Sequence, residues 1–164
     1  MKIYMEQTSH HPPRSHLYAE GPDGNFKLSG YSEMAIYAGI QSTNVECRGH
    51  RLLEFADGGQ IRWNINDDRF SGIFIGTMTH QLVGKVTFTD EQNNLTGYYE
   101  YNAYTFKRQD YTYGEIHKNG KKVSEIFANY NGFMNFDGVR YWDVREKDKI
   151  YFPIAGEEPN SLPS

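Results

Sequence analysis

A single cysteine, Cys47, among 164 residues rules out an intramolecular disulfide and any cysteine-rich zinc site. A lone thiol of this kind reads as a small buried hydrophobe. No apolar run approaches the roughly 20 residues of a membrane-spanning helix. The opening Met1-Lys2-Ile3-Tyr4 starts no stretch of signal-peptide length. A basic excess is missing too: 17 Lys and Arg stand against 21 Asp and Glu, a formal net charge of -4. Nucleic-acid binders usually carry the opposite imbalance, so no nucleic-acid partner is expected. Any anion site has to be local, where a basic pocket can focus the field. There is no Gly-rich phosphate loop and no nucleophile motif. No two carboxylates stand at a catalytic spacing; Asp57, Asp67, Asp68, Asp90 and Asp110 scatter through turns. These absences lead to the expectation of a cytoplasmic protein that is not an enzyme and needs no cofactor.

What is present is aromatic and alternating. Aromatic residues make up 15% of the chain, 13 of them Tyr, and such side chains favour pleated, half-buried surfaces. Ile61, Trp63 and Ile65 alternate with polar neighbours, Leu82, Val86 and Phe88 share a face, and Ser124 to Tyr130 repeats the period of two expected of strands. Polar turns punctuate these runs at Pro22-Asp23-Gly24-Asn25, Asp57-Gly58-Gly59, Asp90 to Asn94, Asn119-Gly120 and Asp137-Gly138, with Asn-Gly the preferred type I′ pair. No stretch reads as an amphipathic helix; the best, Ser32 to Ile40, contains Gly39 and lacks the period. Short links between consecutive strands predict an antiparallel meander. About ten strands that must bury one face and manage their edges predict an all-β fold, an incomplete, strongly curved β-barrel able to enclose a ligand. The length suits one domain, over 1–152, with the three-proline stretch 153–164 as an extended tail. A monomer is expected. Trp63 and Trp142 read as barrel packing, and Tyr98-Tyr99-Glu100-Tyr101 puts aromatics on both faces of a strand.

His10-His11-Pro12-Pro13 is the most unusual chemistry. Neighbours on an extended strand point to opposite faces, so two adjacent histidines rarely chelate one metal. His16, His50, His80 and His117 stand at no zinc-like spacing from them. Two imidazoles on a rigid loop could instead donate hydrogen bonds to a phosphate, and histidine charge responds to pH near neutrality. Pro12 disposes His11 towards extended geometry.

With its neighbours, the segment Glu6-Gln7-Thr8-Ser9-His10-His11-Pro12-Pro13 resembles the fingerprint of the oxysterol-binding-protein family, with Thr8 where valine is more usual. Leu28-Ser29-Gly30-Tyr31, Gly84-Lys85-Val86, Gly97-Tyr98, Gly114-Glu115-Ile116 and Tyr141-Trp142-Asp143 follow in the family's order. Gly72-Ile73-Phe74-Ile75-Gly76 resembles a glycine-bounded apolar strand of those proteins. The resemblance implies a barrel around an apolar tunnel that holds a sterol or phospholipid, or alternatively phosphatidylinositol 4-phosphate. It also implies lipid exchange between membranes and peripheral membrane contact. By motif matching, His10 and His11 would touch the 4-phosphate of the headgroup, supported by Glu6, Gln7, Ser9, Pro12 and Pro13. The family adds a lid before the fingerprint and a helical region after the barrel, both supplying basic headgroup contacts. Here Lys2 and Arg14 are the nearby basic residues. An alternative is a lid-less or truncated module that senses lipid without transporting it.

Overall fold

The computed structural model describes residues 1–101 and 110–146. Among them are twelve strands, β1 Lys2–His10, β2 Pro13–Glu20, β3 Phe26–Ala38, β4 Ser42–Phe55, β5 Gln60–Asn64, β6 Asp67–Ser71, β7 Thr79–Asp90, β8 Leu95–Tyr101, β9 Tyr111–Lys118, β10 Lys121–Asn129, β11 Phe133–Phe136 and β12 Val139–Asp143. Two single 3-10 turns, Pro22–Gly24 and Val144–Glu146, are the other elements. The strands form one antiparallel sheet in the order β1-β2-β3-β4-β5-β7-β8-β9-β10-β11-β12, with β6 paired to both β4 and β7. Among the described residues β1 and β12 do not meet, which leaves the barrel incomplete. The expected tail boundary at residue 152 lies outside the described residues.

The turns close where their chemistry predicts. Asn119 and Gly120 both take positive φ, 51° and 76°, as do Asp137 and Gly138 at 50° and 80°. These are the left-handed angles that a two-residue type I′ hairpin requires. At the β7–β8 loop the Asp90 carboxylate accepts from the Asn93 backbone N–H at 3.1 Å and from its side-chain amide at 2.7 Å. Ser32 to Ala38 lies within β3 and is extended.

The long strand β4 changes partner along its length. His50 to Glu54 pair with β5, and Ser42 to Val45 pair with β6. Side chains bridge the lapses in the backbone ladder, as buried polar groups require. Asn64 donates to the Lys85 carbonyl at 3.1 Å and accepts from the Thr87 N–H at 2.6 Å. Asp67 accepts from the Cys47 N–H at 2.8 Å.

Directly paired residues share a face of the sheet. One face carries Ala19, Leu28, Leu53 and Ile61 in one row and Leu17, Gly30, Arg51, Trp63, Phe88, Gly97 and Ile116 in the next. Val86, Ile126 and Ala128, all buried, continue it. The other face is mixed, with Glu6, His16, Tyr31, His50 and Asn64 in a row.

The Gly72–Gly76 segment corrects an expectation. It is a loop between β6 and β7, not a strand. Gly72 and Gly76 take φ of 72° and 101°, and a side chain on Gly72 would meet the Thr77 carbonyl at 2.3 Å. The chain therefore bends away, leaving Phe74 and Ile75 exposed. Gly72 N–H donates to Gln41 O at 3.1 Å, which ties this loop to the β3–β4 turn; Ile40 in that turn, and Ile36 and Tyr37 at the end of β3, are also exposed.

Cys47 is half-buried rather than fully enclosed. Burial first, then the Asp68 and Asp67 carboxylates, push its thiol up to about 11. Because the folded value exceeds the unfolded one near 8.5, its contribution to stability is complete below that pH and fades as pH rises towards the folded value. At pH 8 the folded thiolate is scarcer by roughly two orders of magnitude. Iodoacetamide should label native protein correspondingly more slowly than urea-unfolded protein; equal rates would remove this account.

Candidate functional site

The two histidines stand at the tip of the β1–β2 hairpin. His10 ends β1, His11 and Pro12 form the turn, Pro13 begins β2, and the His11–Pro12 peptide is cis. His11 belongs to this tight turn, and the two rings lie on the same tip with centroids 4.6 Å apart. Both side chains are exposed.

A β-bulge builds this arrangement. Gln7 pairs with Ser15, but Ser9 pairs with Arg14, so Thr8 is an extra residue on β1. On a regular strand, residues three apart face opposite ways. The inserted residue shifts that phase, and His10, opposite Pro13, joins the face of Gln7. The Gln7 amide then donates to the Ser9 carbonyl at 3.1 Å and sits 3.3 Å from His10 Nδ1. A donating amide makes Nδ1 an acceptor, so in the neutral ring the proton is on Nε2. Glu6, opposite His16, lies on the other face. The fingerprint therefore divides: Gln7 and Ser9 orient His10, while Glu6 borders a groove with Tyr4, His16, Tyr18, Tyr31 and His50.

The two candidate basic neighbours fare differently. Arg14 is bound to Glu33, its Nε 3.0 Å from Oε2, and lies 5.7 Å from the centre of the Tyr31 ring. Its charge is committed to that pair. Lys2 is opposite Glu20 at the far end of the hairpin, about 26 Å along the strand from His10 at the usual rise. Neither completes a phosphate clamp with the histidines.

Sequence reasoning did not assemble two other clusters. The His16–Tyr31–His50 ladder, with ring centroids 5.9 and 5.2 Å apart, depends on strand register. The second is an aromatic pocket on the apolar face of β8 to β12, lined by Tyr99, Tyr101, Thr112, Ala128 and Trp142 among others. The sequence signal for the latter was Tyr99 and Tyr101 at a spacing of two; their partners come from other strands. Tyr98, on the opposite face, lies under the Lys85 ammonium at 3.7 Å.

A twelve-stranded open meander with a polar hairpin tip and an apolar inner face defines an incomplete antiparallel barrel. The family model described as oxysterol-binding protein matches residues 1–161, and the chain belongs to that family. It is 37% identical over 94 residues to oxysterol-binding protein 9 of Dictyostelium discoideum, an alignment covering 56% of this chain and 22% of that protein. It is 29% identical over 137 residues to the mouse oxysterol-binding protein-related protein 5, covering 80% and 15% respectively. Among solved structures, the Osh1 ORD domain in complex with ergosterol superposes with a TM-score of 0.74 at 17% identity, over 90% of this chain and 41% of that one. The Osh3 ORD of Saccharomyces cerevisiae in complex with PI(4)P gives 0.73 at 15%, over 87% and 40%. The chain thus spans less than a quarter of these curated relatives and about two fifths of the solved domains. At such identities the solved structures establish the fold.

Proposed function

We propose that this chain is the barrel part of a lipid-transfer module. It binds phosphatidylinositol 4-phosphate at His10 and His11, holds a sterol or phospholipid against its apolar face, and exchanges the two between membranes. The observation that carries this reading is the bulged hairpin. It gathers two exposed imidazoles at one tip and sets the Gln7 amide against His10 Nδ1, which leaves the ring's Nε2–H as a donor. Donors of this kind form their strongest hydrogen bonds with charged acceptors such as a phosphate.

The same end of the sheet supports membrane contact. β3 and β4 continue beyond the row of Arg14 and Glu33, so the Ile36–Ile40 end of β3 with its turn and the 72–78 loop rise past the histidines. Neither stretch contains a charged residue. Exposed Phe74, Ile75, Met78, Tyr37 and Ile40 are suited to the bilayer interface, where apolar and aromatic side chains anchor. The histidines would then stand at headgroup depth. No catalytic step is required, and the chain acts without a cofactor.

The test is extraction from liposomes carrying either phosphatidylinositol 4-phosphate or phosphatidylinositol, with and without cholesterol. The protein should extract the phosphorylated lipid alone, and cholesterol should compete. Equal uptake of both inositol lipids would sink the reading.

A further inference from the structure

A cation interrupts the apolar face. Arg51 stands directly opposite Gly30 on one side and Trp63 on the other, with Leu28 and Leu53 in the next row. In the two rows that begin at Ala19 and Leu17, every other residue is apolar or glycine. Gly30 makes room for the side chain: a Cβ there would meet Arg51 Cδ at 3.0 Å. The guanidinium is then anchored at one end. Its Nη1 donates to the Tyr31 carbonyl at 2.8 Å and to the His50 carbonyl at 3.1 Å.

A guanidinium carries five N–H donors. Both donors of Nη1 are spent on those carbonyls, which leaves the one on Nε and the two on Nη2. Among the described residues these make no hydrogen bond, and neither nitrogen is sealed from solvent. The Nε–H and one Nη2–H lie parallel, and this is the edge that takes a carboxylate through both oxygens. No described acid fills it. Arg14 pairs with Glu33, Arg48 with Glu46, and Arg140 and Arg145 with Asp143. Asp68, which reaches the Cys47 thiol, is held by His80 at 2.7 Å. Arg51 is half-buried. Burial pushes its pKa down, and the one neighbour that favours its charge is Cys47. A charge drawn out of water normally has a partner, and here the open edge states what that partner is.

We propose that Arg51 receives the carboxylate of an apolar-chain acid, bound side-on through Nε–H and Nη2–H, with the chain lying along Leu28, Leu53 and Trp63. One positive charge calls for one negative charge, and the two in-plane oxygens of a carboxylate match the two donors. A phosphate monoester would bring a second charge with no partner. The site is apart from the hairpin tip: Leu17, two strands from Arg51 in the same row, is already about 13 Å along β2 from Pro13 at the usual rise. Binding of this acid rests on the reading that the apolar face holds the lipid ligand, and it adds an anion to the ligands of that face.

Calorimetric titration with dodecanoate and 1-dodecanol tests this. Wild-type protein should bind one dodecanoate per chain. Arg51→Leu should weaken dodecanoate by at least about tenfold, the least that a hydrogen bond to a charged group contributes, and should leave 1-dodecanol unchanged. Arg51→Lys, which keeps the charge and loses the two-donor edge, should fall between. Should Arg51→Leu fail to fold, the Arg51 Nε–H resonance of wild type decides instead: it should shift on adding dodecanoate and stay in place with 1-dodecanol. His10→Ala/His11→Ala should bind dodecanoate like wild type. Wild type that binds dodecanoate through Arg51 but extracts no phosphatidylinositol 4-phosphate would remove the headgroup reading and leave this site standing. No binding of dodecanoate, an equal weakening of both compounds in Arg51→Leu, or an unmoved Nε–H resonance would overturn the proposal.

Discussion

His10→Ala/His11→Ala should lose the 4-phosphate while keeping its fold. Hydrogen bonds to charged groups contribute about 1.5–3 kcal/mol each. Losing two should weaken binding of phosphatidylinositol 4-phosphate by roughly 3 kcal/mol or more, on the order of a hundredfold. Both rings are exposed on a hairpin tip, and exposed substitutions away from caps and cores usually change stability by less than about 0.5 kcal/mol. The thermal midpoint should therefore barely move. Gln7→Ala should give a smaller loss, because it frees the His10 ring to rotate without removing a donor. Retained extraction by the double variant would withdraw the site. A collapse of the midpoint would instead show that the tip is structural.

Gly114→Ala should be among the most damaging single methyls in the sheet. A Cβ there would lie 2.0 Å from the Tyr98 carbonyl oxygen and 2.7 Å from Tyr99 Cα. Both are backbone atoms of β8, so no side-chain rotation relieves the clash; the β8–β9 ladder must part. Overpacking of this kind costs about 1–3 kcal/mol where side chains can yield, and more where they cannot. We expect the upper end or complete failure to fold. Gly132→Ala is the control: its nearest neighbour would be Asn129 Oδ1 at 3.5 Å, an ordinary contact. Urea midpoints distinguish the two, and equal midpoints would refute the argument.

Strand period and turn chemistry are legible in the sequence because each is local. Ile61-Trp63-Ile65 shows its face without help, and Asn119-Gly120 and Asp137-Gly138 carry their left-handed angles in their residue types. The fingerprint is legible as a string, yet its geometry is not. Nothing in Gln7-Thr8-Ser9 announces that Thr8 has no partner in β2, and that one mismatch decides which face His10 joins. Arg14 reads as a free cation until register sets Glu33 opposite it. Gly72 to Gly76 is expected as an apolar strand only through the family resemblance; the φ of its two glycines makes it a loop here. The aromatic pocket of β8 to β12 needs five strands in register, which no single window of sequence contains.

The strand order carries a kinetic consequence. Apart from the β6 detour, every ladder joins strands that follow each other along the chain. Most β proteins close long loops before their pairings reward them, and fold slowly for that reason. Here each closure spans one hairpin, and the entropy of closing a loop grows only slowly with its length. The type I′ hairpin of β9 and β10, closed by Asn119 and Gly120 and backed by the Ile126 row, is the natural nucleus from which the sheet can grow in both directions.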